Sequence, residues 1–263
     1  MDLHDYKDVA ENYDRYLSVM YQSRDNYEGF LDFYLELAKE YGRDGILDIA
    51  CGTGAVLLHL AQAGVDVDGS DLSEAMCDVA REKAARLGRD LDIFPANMTD
   101  LRAPRKYSLA IIARSGFMHL LTPEDQRAAL LSIREHLVDG GILTLNTFAP
   151  FPPIQAAQMR STPDDYEFRL EYVNVDGQRE RLYNAITYDP ATQVMHGNWK
   201  FKTLDDAGNV IAERIRPLAM RQTYAQELRY LLELCGFEVL ARYGDYYRSE
   251  EDTGRYVWVL RKK

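Results

Sequence analysis

The stretch Gly45-Ile46-Leu47-Asp48-Ile49-Ala50-Cys51-Gly52-Thr53-Gly54 decides the fold. Gly45 to Ala50 is a short apolar run, interrupted by one acid. Two glycines close it, and a helical pattern to about Ala63 follows. A run of this kind predicts a strand covered on both faces. Glycines at the turn let the backbone approach a ligand closely. Strand, glycine turn and helix together open a βαβ unit.

The same alternation continues downstream. Residues 65–70 predict a second strand, and Ser73 to Leu87 a second helix with Ser73 as its N-cap. Strands follow at 91–96 and 107–113. Thr122-Pro123-Glu124-Asp125 is a helix start, with a cap, an early proline and acids in the first turn. That helix is expected to end near Asp139-Gly140-Gly141, before a fifth strand at 142–148. From 149 the period changes. APFPP (149–153) reads as a breaker. Period-two runs separated by Asp176-Gly177, Asp189-Pro190 and Gly208-Asn209 then predict about four antiparallel strands in consecutive hairpins. A helix from Tyr224 to Cys235 stops at Gly236, and 237–243 and 255–261 read as two last strands returning to the first sheet. Upstream, Phe30, Phe33, Tyr34 and Leu37 line one face of a helix over 26–41. The stretch with Tyr6, Tyr13, Tyr16 and Tyr21 looks too polar to be core. The fold class is therefore α/β: a doubly wound, mostly parallel seven-stranded Rossmann-like sheet with helices on both faces, plus an antiparallel β-hairpin insert after the fifth strand.

Composition narrows the function. The chain has 263 residues, 46% of them hydrophobic, and a formal charge of −11. That length and apolar content support a large core. The acidic balance opposes a nucleic-acid footprint, which needs a basic face. No apolar run approaches the ~18 residues of a membrane span, and the first residues are too acidic and polar for a signal peptide. Three scattered cysteines, Cys51, Cys77 and Cys235, form no CxxC pair. They suit a reducing compartment, so a cytoplasmic protein acting on small molecules is expected. No aspartate cluster suggests a metal.

Two signals carry chemistry. The glycine turn lies beyond the carboxyl end of the first strand, where doubly wound sheets bind nucleotides. Asp71 ends the second strand, where a carboxylate can accept both hydroxyls of a ribose. A dinucleotide fingerprint wants a third glycine, and Leu57 stands there. A nicotinamide-dependent oxidoreductase is thus the alternative reading, and a cofactor-binding module without catalysis a second alternative.

Asp48 before the Gly52-Thr53-Gly54 turn resembles motif I of class I S-adenosylmethionine-dependent methyltransferases. The resemblance runs in order through Asp71, Asn97-Met98-Thr99-Asp100-Leu101, Ala113 to Leu120, and Leu137 to Gly141. Tyr13-Asp14, Tyr21-Gln22-Ser23-Arg24 and the hairpin insert are similar to the small-molecule branch, with amino-sugar N,N-dimethyltransferases and glycine-type N-methyltransferases as its nearest members. This implies S-adenosyl-L-methionine as cofactor, S-adenosyl-L-homocysteine as product, and methyl transfer to a nitrogen or oxygen of a small-molecule acceptor. Four segments are implied: a helical lid at 1–44, the cofactor core at 45–148, a substrate-covering insert at 149–222, and the last helix and strands at 223–263. A homodimer is the oligomer considered. The cofactor site is expected from Tyr13, Asp48, Ala50, Gly52, Gly54, Asp71, Leu72, Met76, Asn97, Met98 and Arg114. His119 and Tyr21 are the expected catalytic residues, since an imidazole with an unperturbed pKa of ~6.5 accepts a proton near neutrality. Each has a plainer alternative. Asp71 could cap a helix, Asn97 could be a turn residue, Leu72 and Met98 could be core, and His119 could be structural. Asp48, inside an apolar strand, needs either loop amides or the ligand ammonium as partner. Arg169, Tyr183 and Trp199 in the insert are candidates for facing the substrate, though alternate strand residues point away.

Overall fold

A computed structural model describes residues 10–22, 29–148, 150–251 and 253–263. The chain begins with a 3-10 turn (Ala10–Asn12) and helices α1 (Tyr13–Gln22) and α2 (Phe30–Tyr41). Then come β1 (Ile46–Ile49), α3 (Ala55–Gln62), β2 (Val67–Asp71), α4 (Glu74–Arg86), β3 (Ile93–Pro95), β4 (Tyr107–Ile112), α5 (Pro123–Glu135) and β5 (Leu137–Phe148). A short helix α6 (Pro152–Gln158) leads to β6 (Glu167–Val173), β7 (Arg179–Asp189), β8 (Val194–Leu204) and β9 (Val210–Arg221). Helix α7 (Ala225–Leu234), β10 (Phe237–Tyr243) and β11 (Arg255–Lys262) complete the chain.

The first sheet has seven strands in the order β10-β11-β5-β4-β1-β2-β3. Strands β1 to β5 pair in parallel, while β11 runs antiparallel to both β5 and β10. The order reverses between β1 and β4, so their carboxyl ends open a crevice. Side-chain alternation sorts the core into two layers. Ile46, Leu109 and Val257 face Phe33, Leu37 and Leu57 from α2 and α3. Leu47, Ala110 and Trp258 face Ile133 and Leu228 from α5 and α7. Helix α2 is thus a layer of the core.

The packing of α3 on β2 reverses the dinucleotide arrangement. A Cβ added at Gly69 would sit 2.7 Å from Leu57 Cδ2. The glycine that permits close contact is on the strand, and the helix supplies the leucine, which is fully buried.

The second sheet is a meander, β6-β7-β8-β9. Its inner face packs on α1, with Tyr16 and Leu17 set among Leu170, Tyr172, Leu182 and Phe201. Tyr16 is fully buried, which corrects the expectation that this segment is too polar for a core. Its ring meets Tyr172, Trp199 and Phe201 edge-on at 5.7–5.9 Å, so the aromatic surface is inward and the charges outward. Beside it, Glu180 accepts from Thr203 Oγ1 at 3.1 Å and from Arg214 through both oxygens, at 2.5 and 3.0 Å, with Tyr172 OH also donating. Burial raises the Glu180 carboxyl, but these donors outweigh it and leave it below the ordinary range. Pro217 is accommodated because β9 is an edge strand.

Two expected boundaries differ. Pro152 and Pro153 start α6, because proline fits the first helical turn. The fifth strand begins at Leu137, before the Gly140-Gly141 pair. Leu137 pairs with Tyr107, and an irregularity next to that pair absorbs the turn. Among the described residues, no helix is long and apolar enough to cross a membrane.

Candidate active site

A cavity of about 450 Å³ lies at the carboxyl ends of β1, β2 and β4, in the size range of small-molecule sites. Its floor is backbone. The turn after β1 places three residues in the left-handed region: Ala50 (φ 54°), Gly52 (φ 55°) and Gly54 (φ 86°). A Cβ at Gly52 would meet nothing within 4 Å, whereas one at Gly54 would press on Leu58 and Ala80 at 3.2–3.3 Å. Gly52 therefore faces open space, and Gly54 lets α3 pack. Ala50 has a Cβ and still adopts the strained conformation, a pattern that clusters at functional sites.

Asp71 holds this turn. Its Oδ2 accepts from Gly52 N–H at 2.8 Å and its Oδ1 from Ser73 N–H at 2.9 Å. Helix capping falls to Ser73, whose Oγ accepts from Met76 N–H at 3.4 Å. The Asp71 carboxylate lines the cavity with its orientation set by two amides. Asp48 lies behind the wall, not in it. Its Oδ2 accepts from Leu57 N–H at 3.0 Å, in the first turn of α3. Burial raises the Asp48 carboxyl to about 7, and the nearby Asp71 charge adds to this. The partner observed for Asp48 is thus a helix amide of α3.

The opposite floor is strained too. Arg114 (φ 49°) and Ser115 (φ 63°) are left-handed at the end of β4. Buried Asn146 on β5 braces them: its Oδ1 accepts from Ser115 N–H at 3.1 Å and its Nδ2 donates to Ser115 Oγ at 3.0 Å. The 3-10 helix Gly116–His119 follows. Its Met118 is buried against Leu218 and Met220 of β9, which carries His119 to the cavity rim. The Arg114 guanidinium lies 5.2 Å from the Phe30 ring centre.

Of the expected residues, Tyr13, Ala50, Gly52, Asp71, Leu72 and Met76 line the cavity, as do Asn97, Met98, Arg114 and His119. Asp48 and Gly54 do not. They act one layer back, by holding and packing α3. Tyr21 is on α1, but its side chain lies outside the described residues, as does Arg24. Leu72, 49% exposed, is a wall and not core. Asn97 both caps, accepting from Thr99 N–H at 3.0 Å, and lines the space. In the insert, Trp199 packs inward on Tyr16. Tyr183 pairs with exposed Phe168 on the outer face, and Arg169 pairs with Glu167. Thr53, Thr99, Thr122 and Asp125 also line the cavity. Sequence reading missed them, because threonines and an exposed aspartate in helix-start positions look like ordinary caps. Among the described residues, no group of three or more His, Cys, Asp or Glu side chains is placed to hold a metal ion.

A family model described as a methyltransferase domain matches residues 46–141. A glycine/sarcosine N-methyltransferase of Halorhodospira halochloris is 31% identical over 239 residues, 89% of this chain and 80% of that protein. The chain belongs to the S-adenosylmethionine-dependent methyltransferases. The match to a dTDP-3-amino-3,4,6-trideoxy-alpha-D-glucopyranose N,N-dimethyltransferase of Streptomyces venezuelae is 32% over 129 residues, 43% of this methyltransferase and 53% of that enzyme. In such matches the chain spans about half the length of the curated relative. The CcbJ methyltransferase of Streptomyces caelestis shares the fold with a TM-score of 0.76, at 23% identity, over 100% of this chain and 99% of that one. The residues present fit the family's cofactor. The amide of Gly52 is spent on Asp71, and the walls beside the carboxylate include the apolar Leu72, Met76 and Met98. A carboxylate beside apolar walls suits a nucleoside with a cationic sulfur tail.

Proposed function

We propose that this methyltransferase transfers a methyl group to a nitrogen or oxygen of a small-molecule acceptor by in-line displacement. One observation carries the reading: a single cavity brings together the carboxylate of Asp71, the open backbone of Gly52 and the imidazole-bearing rim at His119. Bound there, S-adenosylmethionine would supply an activated methyl on sulfur, with S-adenosylhomocysteine as the product. Asp71 accepts hydrogen bonds from the ribose hydroxyls, already oriented by Gly52 and Ser73. Leu72, Met98 and Asn97, which line the cavity, would hold the adenine. Arg114, held over Phe30, offers a guanidinium to the cofactor carboxylate.

His119 sits on the braced segment between β4 and α5, and Tyr13 stands at the cavity from α1. His119 contacts the acceptor and takes its proton, and the Tyr13 ring excludes water. Since the leaving group is already activated, alignment supplies most of the rate, on the order of 7–11 kcal/mol in favourable cases. The second sheet covers the acceptor side through α1 and Met118. The acceptor's chemical class follows the relatives named above: amino sugars and glycine-like amines. The test is an acceptor panel of primary amines, amino sugars and phenols, with methylated product read by mass spectrometry. Product from any acceptor, with matching release of S-adenosylhomocysteine, supports the reading. Failure to bind S-adenosylhomocysteine in calorimetry overturns it.

A further inference from the structure

The strained turn after β1 is pinned from three sides. Asp71 holds Gly52 from β2. From α4, Lys83 Nζ donates to the carbonyl of Thr53 at 3.0 Å. From α1, the Asp14 carboxylate accepts from Thr53 Oγ1 at 2.6 Å and pairs with Lys83 Nζ. Thr53 is buried and lines the cavity, whereas Asp14 and Lys83 keep 46% and 28% of their side chains exposed. The first two anchors belong to the parallel core. The third arrives from a helix whose own core is the second sheet, through Tyr16 and Leu17.

That placement has a geometric consequence. Tyr13 lines the cavity and Asp14 follows it at the start of α1. A hydrogen bond at Asp14 therefore sets how deeply Tyr13 reaches the cofactor space. The bond ends on Thr53, between two left-handed glycines, so it also fixes the turn in its ligand-ready shape.

We infer that Asp14 is a positioning residue which, through Thr53 and Lys83, couples the α1 cover to the cofactor turn and thereby sets cofactor affinity. This rests on the proposed function, since it assigns the cavity to S-adenosylmethionine. Asp14 acts through Thr53 and Lys83. Its effect is pre-organisation: the turn is held before the ligand arrives, so less ordering is left to binding. An exposed ion pair alone contributes little to stability, so the signature is a change in affinity without a change in folding.

The experiment is calorimetric titration of the full chain with S-adenosylhomocysteine, beside melting of the ligand-free protein. Asp14→Ala is expected to weaken binding by about tenfold, the scale of a lost charge-assisted hydrogen bond. Asp14→Asn keeps an acceptor for Thr53 but loses the charge facing Lys83, and is expected to lose about threefold. Thr53→Ala should cost clearly less affinity in the Asp14→Ala background than in the unaltered protein, because the pair is already broken. Ligand-free melting should match the unaltered protein in the Asp14 variants. Equal affinity of Asp14→Ala and the unaltered protein overturns the coupling. So does full additivity of the two alanine substitutions, or a loss of affinity that merely follows a lowered melting temperature. If the unaltered protein itself binds no S-adenosylhomocysteine, the cofactor reading fails, and the coupling with it.

Discussion

The two sheets of this molecule are built by different means. The seven-stranded sheet shapes the cavity floor with strained backbone, left-handed at Ala50, Gly52 and Arg114, with Asp71 and Asn146 holding the turns by amide hydrogen bonds. The four-stranded sheet contributes side chains: a buried aromatic cluster around Tyr16 and a buried Glu180–Arg214 pair, with Met118 docked on Leu218 and Met220. A backbone site tolerates many side-chain changes but few changes of φ. A side-chain site does the reverse.

Four substitutions can break or sharpen that contrast. The largest effect is expected at Glu180→Ala, which strands Arg214 and should cost about 3 kcal/mol of stability, read by denaturant unfolding. Unchanged affinity for S-adenosylhomocysteine would keep the two sheets separate; a matching loss would join them. Next, Asp71→Ala removes the proposed ribose partner and the anchor of Gly52 together. Affinity should fall by roughly a hundredfold, about 2.7 kcal/mol, and calorimetry showing unchanged binding would refute the ribose role. For His119→Ala, turnover should drop by about a hundredfold with cofactor affinity held. If affinity falls instead, the histidine is structural.

The smallest effect is a slope. Burial raises the Asp48 carboxyl to about 7 in the folded chain, above its unfolded value of ~3.9. The folded state then binds more protons than the unfolded state between these values. The contribution of Asp48 to stability is thus full below the unfolded pKa and declines as pH rises to about 7. Asp48→Asn keeps an acceptor for Leu57 N–H and should flatten this fall. Denaturant midpoints of both proteins from pH 4 to pH 8 would show it. Parallel curves would mean that Asp48 titrates normally.

Much of the core was legible in advance because its signals are local. Strand runs, the Ser73 cap and the Thr122-Pro123 helix start each depend on neighbours within a few residues. Gly52 and Asp71 were legible as a pair because a βαβ unit puts the ends of successive parallel strands side by side. The same local reading failed at Tyr16. Tyrosines among Asp, Arg and Ser look solvated, and no pattern announces that a sheet formed by residues 167–221 will cover them. It failed again at 149–153, where proline reads equally as a breaker and as the first turn of a helix.

By itself, then, the amino-acid order determined the alternation of strands and helices, the glycine turn and the acid that faces it. Each needs only backbone preference and short-range spacing. Tertiary packing alone decided that Asp48 serves the α3 amide behind the wall and that Gly69, on a strand, makes room for Leu57. It also decided that Asp14, Lys83 and Asn146 brace turns far from them in the chain. Those are contacts between side chains and backbone brought together only when the layers close, and no local spacing encodes them.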